Sequence, residues 1–149
     1  VSDGVRLRPG GPPLDLAGAE GGCHCGAVRF RVRLAEGLAS ARRCDCSYCR
    51  MRGSVSVTVA DGGFELLSGA DNLATYRFNT GVAAHHFCRC CGISTHHERR
   101  STPGQVAVSA ACLDGVSPFD FLELPVSDGV HHPSDGGGGL AGVLRYNPA

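Results

Sequence analysis

Nine cysteines in 149 residues carry the chemistry of this chain, and eight of them fall into three short groups. Cys23 and Cys25 stand in GGCHCGAV, Cys44, Cys46 and Cys49 in CDCSYC, and Cys88, Cys90 and Cys91 in FCRCCGIS, while Cys112 stands alone. A C-x-C pair in extended chain puts both thiols on one side, roughly 7 Å apart at the backbone, and the side chains can converge from there on one ion. A C-x-x-C pair does the same through a tight turn. Gly26 and Gly92 directly follow Cys25 and Cys91, where a turn that wraps its amides toward a thiolate needs a residue free of Cβ clashes. FCRCCG therefore reads as a knuckle that uses Cys88 and Cys91. Cys90 would point elsewhere, either as a free thiol near the metal or as an alternative ligand.

Two pairs remote in sequence, Cys23 with Cys25 and Cys88 with Cys91, can complete a closed four-sulfur zinc site, whose ligation energy is folding energy. Cys44, Cys46 and Cys49 would then hold a second zinc with three thiolates and an open fourth position, which separates catalytic from structural zinc. Other readings fit the same residues. One of His24, His85, His86, His96 or His97 would close the triplet into a purely structural site, or all the clusters would serve one ion. An iron–sulfur cluster lacks its usual ferredoxin spacings. Adjacent histidines in a strand point to opposite faces, so the pairs His85-His86, His96-His97 and His131-His132 each offer at most one ligand to a side. They are expected at the surface or beside the ligands. Cys112, after a β-like run, is expected as a buried small hydrophobe.

Three thiolates around a divalent zinc leave a net charge of −1, a weak Lewis acid that disfavours water activation. A thiol from solution can bind instead, because zinc lowers its pKa and keeps it deprotonated near neutral pH. Asp45, His85 and Tyr48 are the candidates for proton transfer, and nothing in the sequence chooses among them. Arg50 and Arg52 follow the triplet, with Arg42 and Arg43 just before it. A guanidinium fork suits a carboxylate, so Arg50 and Arg52 are candidate substrate-binding residues. The alternative is a solvated basic edge that balances the thiolate charge.

The order C-x-C-G, C-x-C-x-x-C-R, C-x-x-C-G resembles the glutathione-dependent formaldehyde-activating family, over about Gly21 to Pro133 and including GGCHCGAVRF, CDCSYCRMRGS, FCRCCGIS and DGVHHP. The resemblance implies a single-domain β-tent fold with two zinc ions. Cys23, Cys25, Cys88 and Cys91 match the structural ligands, and Cys44, Cys46 and Cys49 the catalytic ones. The implied activity joins formaldehyde to glutathione to give S-(hydroxymethyl)glutathione, a carbon–sulfur lyase reaction when read in reverse. Asp45 stands where the family more often has histidine, and Cys90 adds a thiol inside the knuckle. The alternative function is a zinc-scaffold binding module, or a thiol-carrier or redox module, without turnover.

The elements that must position these groups read as strands. AVRFRVRL puts Val28, Phe30, Val32 and Leu34 on one face and three arginines on the other, and SVSVTVA does the same with Val55, Val57 and Val59. FELLSG, ATYRFN, AAHHF and QVAVSA are further short candidates between turn-rich pieces such as ADGG and GADN, and SPFDFLELP is expected as a turn or two of helix. The fold class is therefore all-β, with few or no helices and short antiparallel sheets. Residues 1–20, rich in Gly and Pro, are expected as a flexible arm, and 21–149 as one zinc-binding domain. The four glycines Gly136 to Gly139 suggest a loop before a final apolar touch by Leu140, Val143 and Leu144. With 14 basic and 14 acidic residues the chain is no nucleic-acid-binding polycation. It has no run of about 18 apolar residues and no secretory leader pattern, so the expected location is the cytoplasm, with small-molecule partners and no membrane.

Overall fold

The computed structural model describes residues 4–132 and 135–149; residues 1–3 of the expected arm, and Pro133, which ends the family-like stretch, lie outside the described residues. In chain order the first strands are β1 (Arg6–Leu7), β2 (Gly18–Gly22), β3 (Arg29–Leu34) and β4 (Arg43–Cys44), followed by a one-turn helix α1 (Cys49–Arg52). After it come β5 (Ser56–Ser68), β6 (Leu73–Tyr76), β7 (Ala84–Cys88), β8 (Ser94–Glu98), β9 (Val106–Ser109), β10 (Phe121–Ser127) and β11 (Leu140–Arg145). The all-β expectation holds. The larger sheet runs β2-β3-β5-β9-β8-β7-β6, antiparallel throughout. In the smaller sheet β10 pairs antiparallel with β1 and β11 and parallel with β4.

The alternating strands form as their pattern dictates. β3 buries Phe30, Val32 and Leu34 and exposes Arg31 and Arg33, while Val55, Val57 and Val59 are buried in and before β5. One core cluster joins Phe30, Val57 and Val108 of the larger sheet to Val5, Phe121 and Leu124 beside or within the smaller one, so the core fills the space between the sheets. Each such side chain contributes about 1.5–3 kcal/mol by leaving water.

Several elements differ from expectation. SVSVTVA and FELLSG are one strand of 13 residues, because ADGG makes a bulge and not a chain reversal. Pairing with β3 jumps from Val32↔Phe64 to Leu34↔Val59, and Gly62 takes φ 67° in the bulge. The expected arm is tied down: Val5 is buried, β1 pairs with β10, and Leu14 and Leu16 pack on the core. SPFDFLELP contributes one 3-10 turn at Pro118–Asp120 and then continues as β10. The tail forms β11 on β10, yet Leu140, Val143 and Leu144 stay exposed and give no apolar anchor. β8, STHHE, carried no apolar alternation. It lies centrally between β7 and β9, held by histidines that stack across strands, His85 on His97 at 5.2 Å and His86 on His96 at 4.5 Å between ring centroids. Among the described residues no helix is long and apolar enough to cross a membrane.

Candidate metal centres and the cavity beside them

Cys23 follows β2, Cys25 lies in the turn before β3, Cys88 closes β7, and Cys91 sits in the turn before β8. Their sulfurs lie within 4.8 Å of one another. The cluster ties together parts of the chain 63 residues apart, with Cys25 Sγ 3.8 Å from Cys88 Sγ. Backbone amides aim at the sulfurs, Val28 N at 3.3 Å from Cys23 Sγ and Cys90 N at 3.4 Å from Cys88 Sγ. The turns need their glycines: Gly26 has φ 81° and Gly92 φ 80°. Cys90 is exposed outside the group, its thiol donating to Asn72 Oδ1 at 3.3 Å. Cys112 is buried in the core, and burial pushes its thiol up to about 11.

Cys44 ends β4, Cys46 follows in the loop, and Cys49 is the first residue of α1. These three sulfurs also lie within 4.8 Å of one another, and among the described residues no histidine joins either group. Cys46 N and Cys49 N approach the sulfurs of Cys44 and Cys46 at 3.5 Å and 3.3 Å. Gly53, left-handed at φ 71°, stops α1 after a single turn. From the other side the chain at Gly129 comes so close that a Cβ there would overlap Cys44 Sγ and stand 2.7 Å from Cys46 Cβ. Asp45 fixes that approach, its Oδ1 accepting from Gly129 N at 2.7 Å and Val130 N at 3.3 Å. Electrostatically the triplet is unbalanced. Hydrogen bonds from the Cys44 and Cys49 thiols hold Cys46 far below the ordinary thiol range, and Cys44, then Cys46, push Cys49 far above it. Three thiolates cannot coexist at this spacing without a cation, so the donor set fits a metal ion. The four-sulfur group fits one equally by its convergence and its amide donors.

Cys44, Cys46 and Cys49 line a cavity of about 750 Å³ between the two sheets, and none of the four clustered cysteines reaches it. Arg42, Arg50, Arg99 and Arg100 line it too, against Asp45 and Asp128. Arg99 donates to Thr58 Oγ1 at 2.9 Å, and its buried Nε has no protein partner. Burial, with the nearby Arg42 charge, lowers Arg99 to about 10, still cationic at neutral pH. Of the two arginines that follow the triplet, Arg50 lines the cavity and Arg52 is not among the residues lining it. Its guanidinium turns inward to His85 Nδ1 and Ser94 Oγ, both at 3.2 Å, and to Cys49 Sγ at 3.6 Å, over the Tyr48 ring. Those contacts engage Nη1 and Nη2, while the buried Nε has no protein partner. Arg99 and Arg100 escaped the sequence reading because they follow β8, 50 residues from the triplet; their only signal was the doubled arginine after STHHE. Of the histidines expected at the surface or beside the ligands, His131 is exposed, His85 and His96 are buried, and His85 and His97 line the cavity with the three thiols.

Residues 18–121, most of the chain, match the model of the family described as glutathione-dependent formaldehyde-activating enzyme. The chain belongs to this family. A relative from Halomonas elongata that carries the family's name is 35% identical over 80 residues, 48% of this chain and 50% of its own length. The chain thus aligns with about half of that curated relative. A crystal structure of a Rhodobacter sphaeroides protein has 50% sequence identity and a TM-score of 0.70, covering 72% of this chain and 98% of the other. The family match takes in all seven clustered cysteines, together with Arg42, Arg50, Arg52, Arg99 and Arg100. It stops before Gly129, so this formaldehyde-activating family member draws part of its cavity wall from outside the matched segment.

Proposed function

We propose that the chain is a zinc-dependent carbon–sulfur lyase-type enzyme that forms and cleaves a thiol–aldehyde adduct, with glutathione and formaldehyde as the pair. One observation carries this reading. Of the two sulfur clusters able to hold a metal among the described residues, the three-sulfur one lines the arginine-rich cavity and the four-sulfur one does not. Cys23, Cys25, Cys88 and Cys91 would hold a structural zinc, with four sulfurs filling its tetrahedron, and Cys44, Cys46 and Cys49 a second zinc with one position to spare. When bound there, zinc supplies the thiol substrate with a lowered pKa and a fixed orientation. The chain's own residues do the rest. Arg42, Arg50, Arg99 and Arg100 offer charge-assisted donors to the carboxylates of a peptide-like thiol such as glutathione. Asp45 and Gly129 hold the wall against Cys44, so the cavity is shaped before substrate arrives. The addition is intrinsically easy, and positioning is the main contribution asked of the protein.

The test is magnetisation-exchange NMR on glutathione and isotope-labelled formaldehyde. Protein loaded with two zinc ions should speed their exchange, and Cys46→Ser should abolish the acceleration. Wild-type protein with full metal content and an unchanged exchange rate would refute the enzymatic reading.

A further inference from the structure

We propose that His85 is the hydrogen-bond donor to the aldehyde oxygen and that Arg52 is the positioning residue that makes it one, an inference that rests on the thiol–aldehyde reading above. Arg52 Nη1 lies 3.2 Å from His85 Nδ1. A guanidinium has donors only, so Nδ1 must accept, and the ring proton then resides on Nε2. The ring is clamped on several sides, by His97 at 5.2 Å, Tyr48 at 4.5 Å and Phe78 at 5.6 Å between centroids. His85 lines the cavity together with the three thiols, and the side-chain hydrogen bond it makes runs through Nδ1, not Nε2. The other two candidates are disposed of differently. Asp45 spends its Oδ1 on two backbone amides, and Tyr48 is not among the residues lining this cavity. Burial, then the Arg52 charge, lowers His85 to about 4, which agrees with a neutral ring.

The step balances without a proton from the protein. The thiolate lone pair forms the S–C bond, the carbonyl π pair moves to oxygen, and the alkoxide accepts a hydrogen bond from Nε2–H. It then takes its proton from solvent, into which the thiol released one on binding. In the reverse direction the same N–H receives the oxyanion as the S–C bond breaks and its electron pair returns to sulfur. His85 gains and loses nothing. Such a donor is pre-organised by Arg52 and needs no rearrangement during reaction.

The experiment uses the zinc-loaded full chain labelled with 15N-histidine. Two-bond correlation spectra near pH 7 should show His85 protonated at Nε2 and bare at Nδ1. Arg52→Met should release the Nδ1–H tautomer, a signature that mere support of the fold would not move. In the exchange assay His85→Phe should lose about 100-fold in kcat with zinc content unchanged, while His85→Gln, which keeps an N–H donor, should recover at least about tenfold of that loss. A His85 protonated at Nδ1 in the wild type would overturn the proposal. Equal rates for His85→Phe and an active wild type would overturn the donor role alone. A fully loaded but inactive wild type would overturn both readings.

Discussion

Gly129→Ala tests whether the chain really presses against the three-sulfur centre. Gly129 does not occupy a left-handed conformation, so alanine meets only a steric obstacle. Its Cβ would overlap Cys44 Sγ, with Cys46 Cβ at 2.7 Å and the Cys46 amide nitrogen at 3.0 Å. Either the sulfur shifts or the segment swings out and breaks the 2.7 Å bond from Gly129 N to Asp45. Overpacking costs about 1–3 kcal/mol, and a hydrogen bond to a charged group is worth about 1.5–3 kcal/mol. A penalty of about 3 kcal/mol borne by the loaded centre weakens zinc binding there by about 100-fold. Competition with a chromophoric chelator should show one zinc per chain lost early and the other held as in the wild type. Gly142→Ala is the control, because a Cβ there meets nothing within 4 Å. Two zinc ions held at wild-type affinity by Gly129→Ala would refute the close approach.

Other consequences follow from the same geometry. Cys88→Ser removes a cross-link between segments 63 residues apart; loop-closure entropy makes that about 4 kcal/mol, read as a lower urea midpoint of the zinc-loaded protein, whereas Cys90→Ser should change stability by under about 0.5 kcal/mol. His96 is held neutral, lowered to about 4 by burial and then His86. A depressed histidine stabilises fully above its unfolded pKa of about 6.5 and loses that contribution as pH falls toward 4, on the order of 3 kcal/mol. His96→Phe should therefore flatten the stability-versus-pH curve between about pH 6.5 and 4 relative to wild type. Arg99→Met should raise KM for glutathione about tenfold or more and leave KM for an uncharged small thiol nearly unchanged, measured by the same exchange experiment.

Legibility followed the kind of signal each residue left. The cysteine partition was readable because ligand spacing and the glycines at positions 26 and 92 are local facts, and the structure brings together the same two sets. β3 and the first half of β5 were readable because alternation records which face meets the core. β8 was not, because its central place is secured by ring stacking between His85 and His97 and between His86 and His96, which looks polar in sequence. The bulge at Gly62 and Gly63 was read as a turn because the same residues serve both, and only the β3 partner distinguishes them. The inward aim of Arg52 was invisible for the opposite reason: it is set by His85 and Ser94, more than 30 residues away.

The two sulfur clusters sit differently in the fold, one within the larger sheet and the other on the wall of the cavity. The four-sulfur group is built at the ends of β2, β3, β7 and β8, within the larger sheet, with Leu66 of β5 and Leu73 of β6 packed against it. The triplet is carried on β4 and α1, and β4 pairs with β10 of the smaller sheet through Val126↔Arg43 and Ser127↔Cys44. Its remaining neighbours come from the larger sheet, through Arg52 to His85 on β7 and Ser94 on β8. The cavity therefore lies where the two sheets meet, and its walls combine Pro125 and Ser127 to Val130 from one side with His85, His97 and Arg99 from the other. A sulfur cluster at such a seam has room beside it for a ligand from solution, which a site closed by its own turns lacks. The same seam gathers Arg42, Arg50, Arg99 and Arg100 around the cavity that the three sulfurs line.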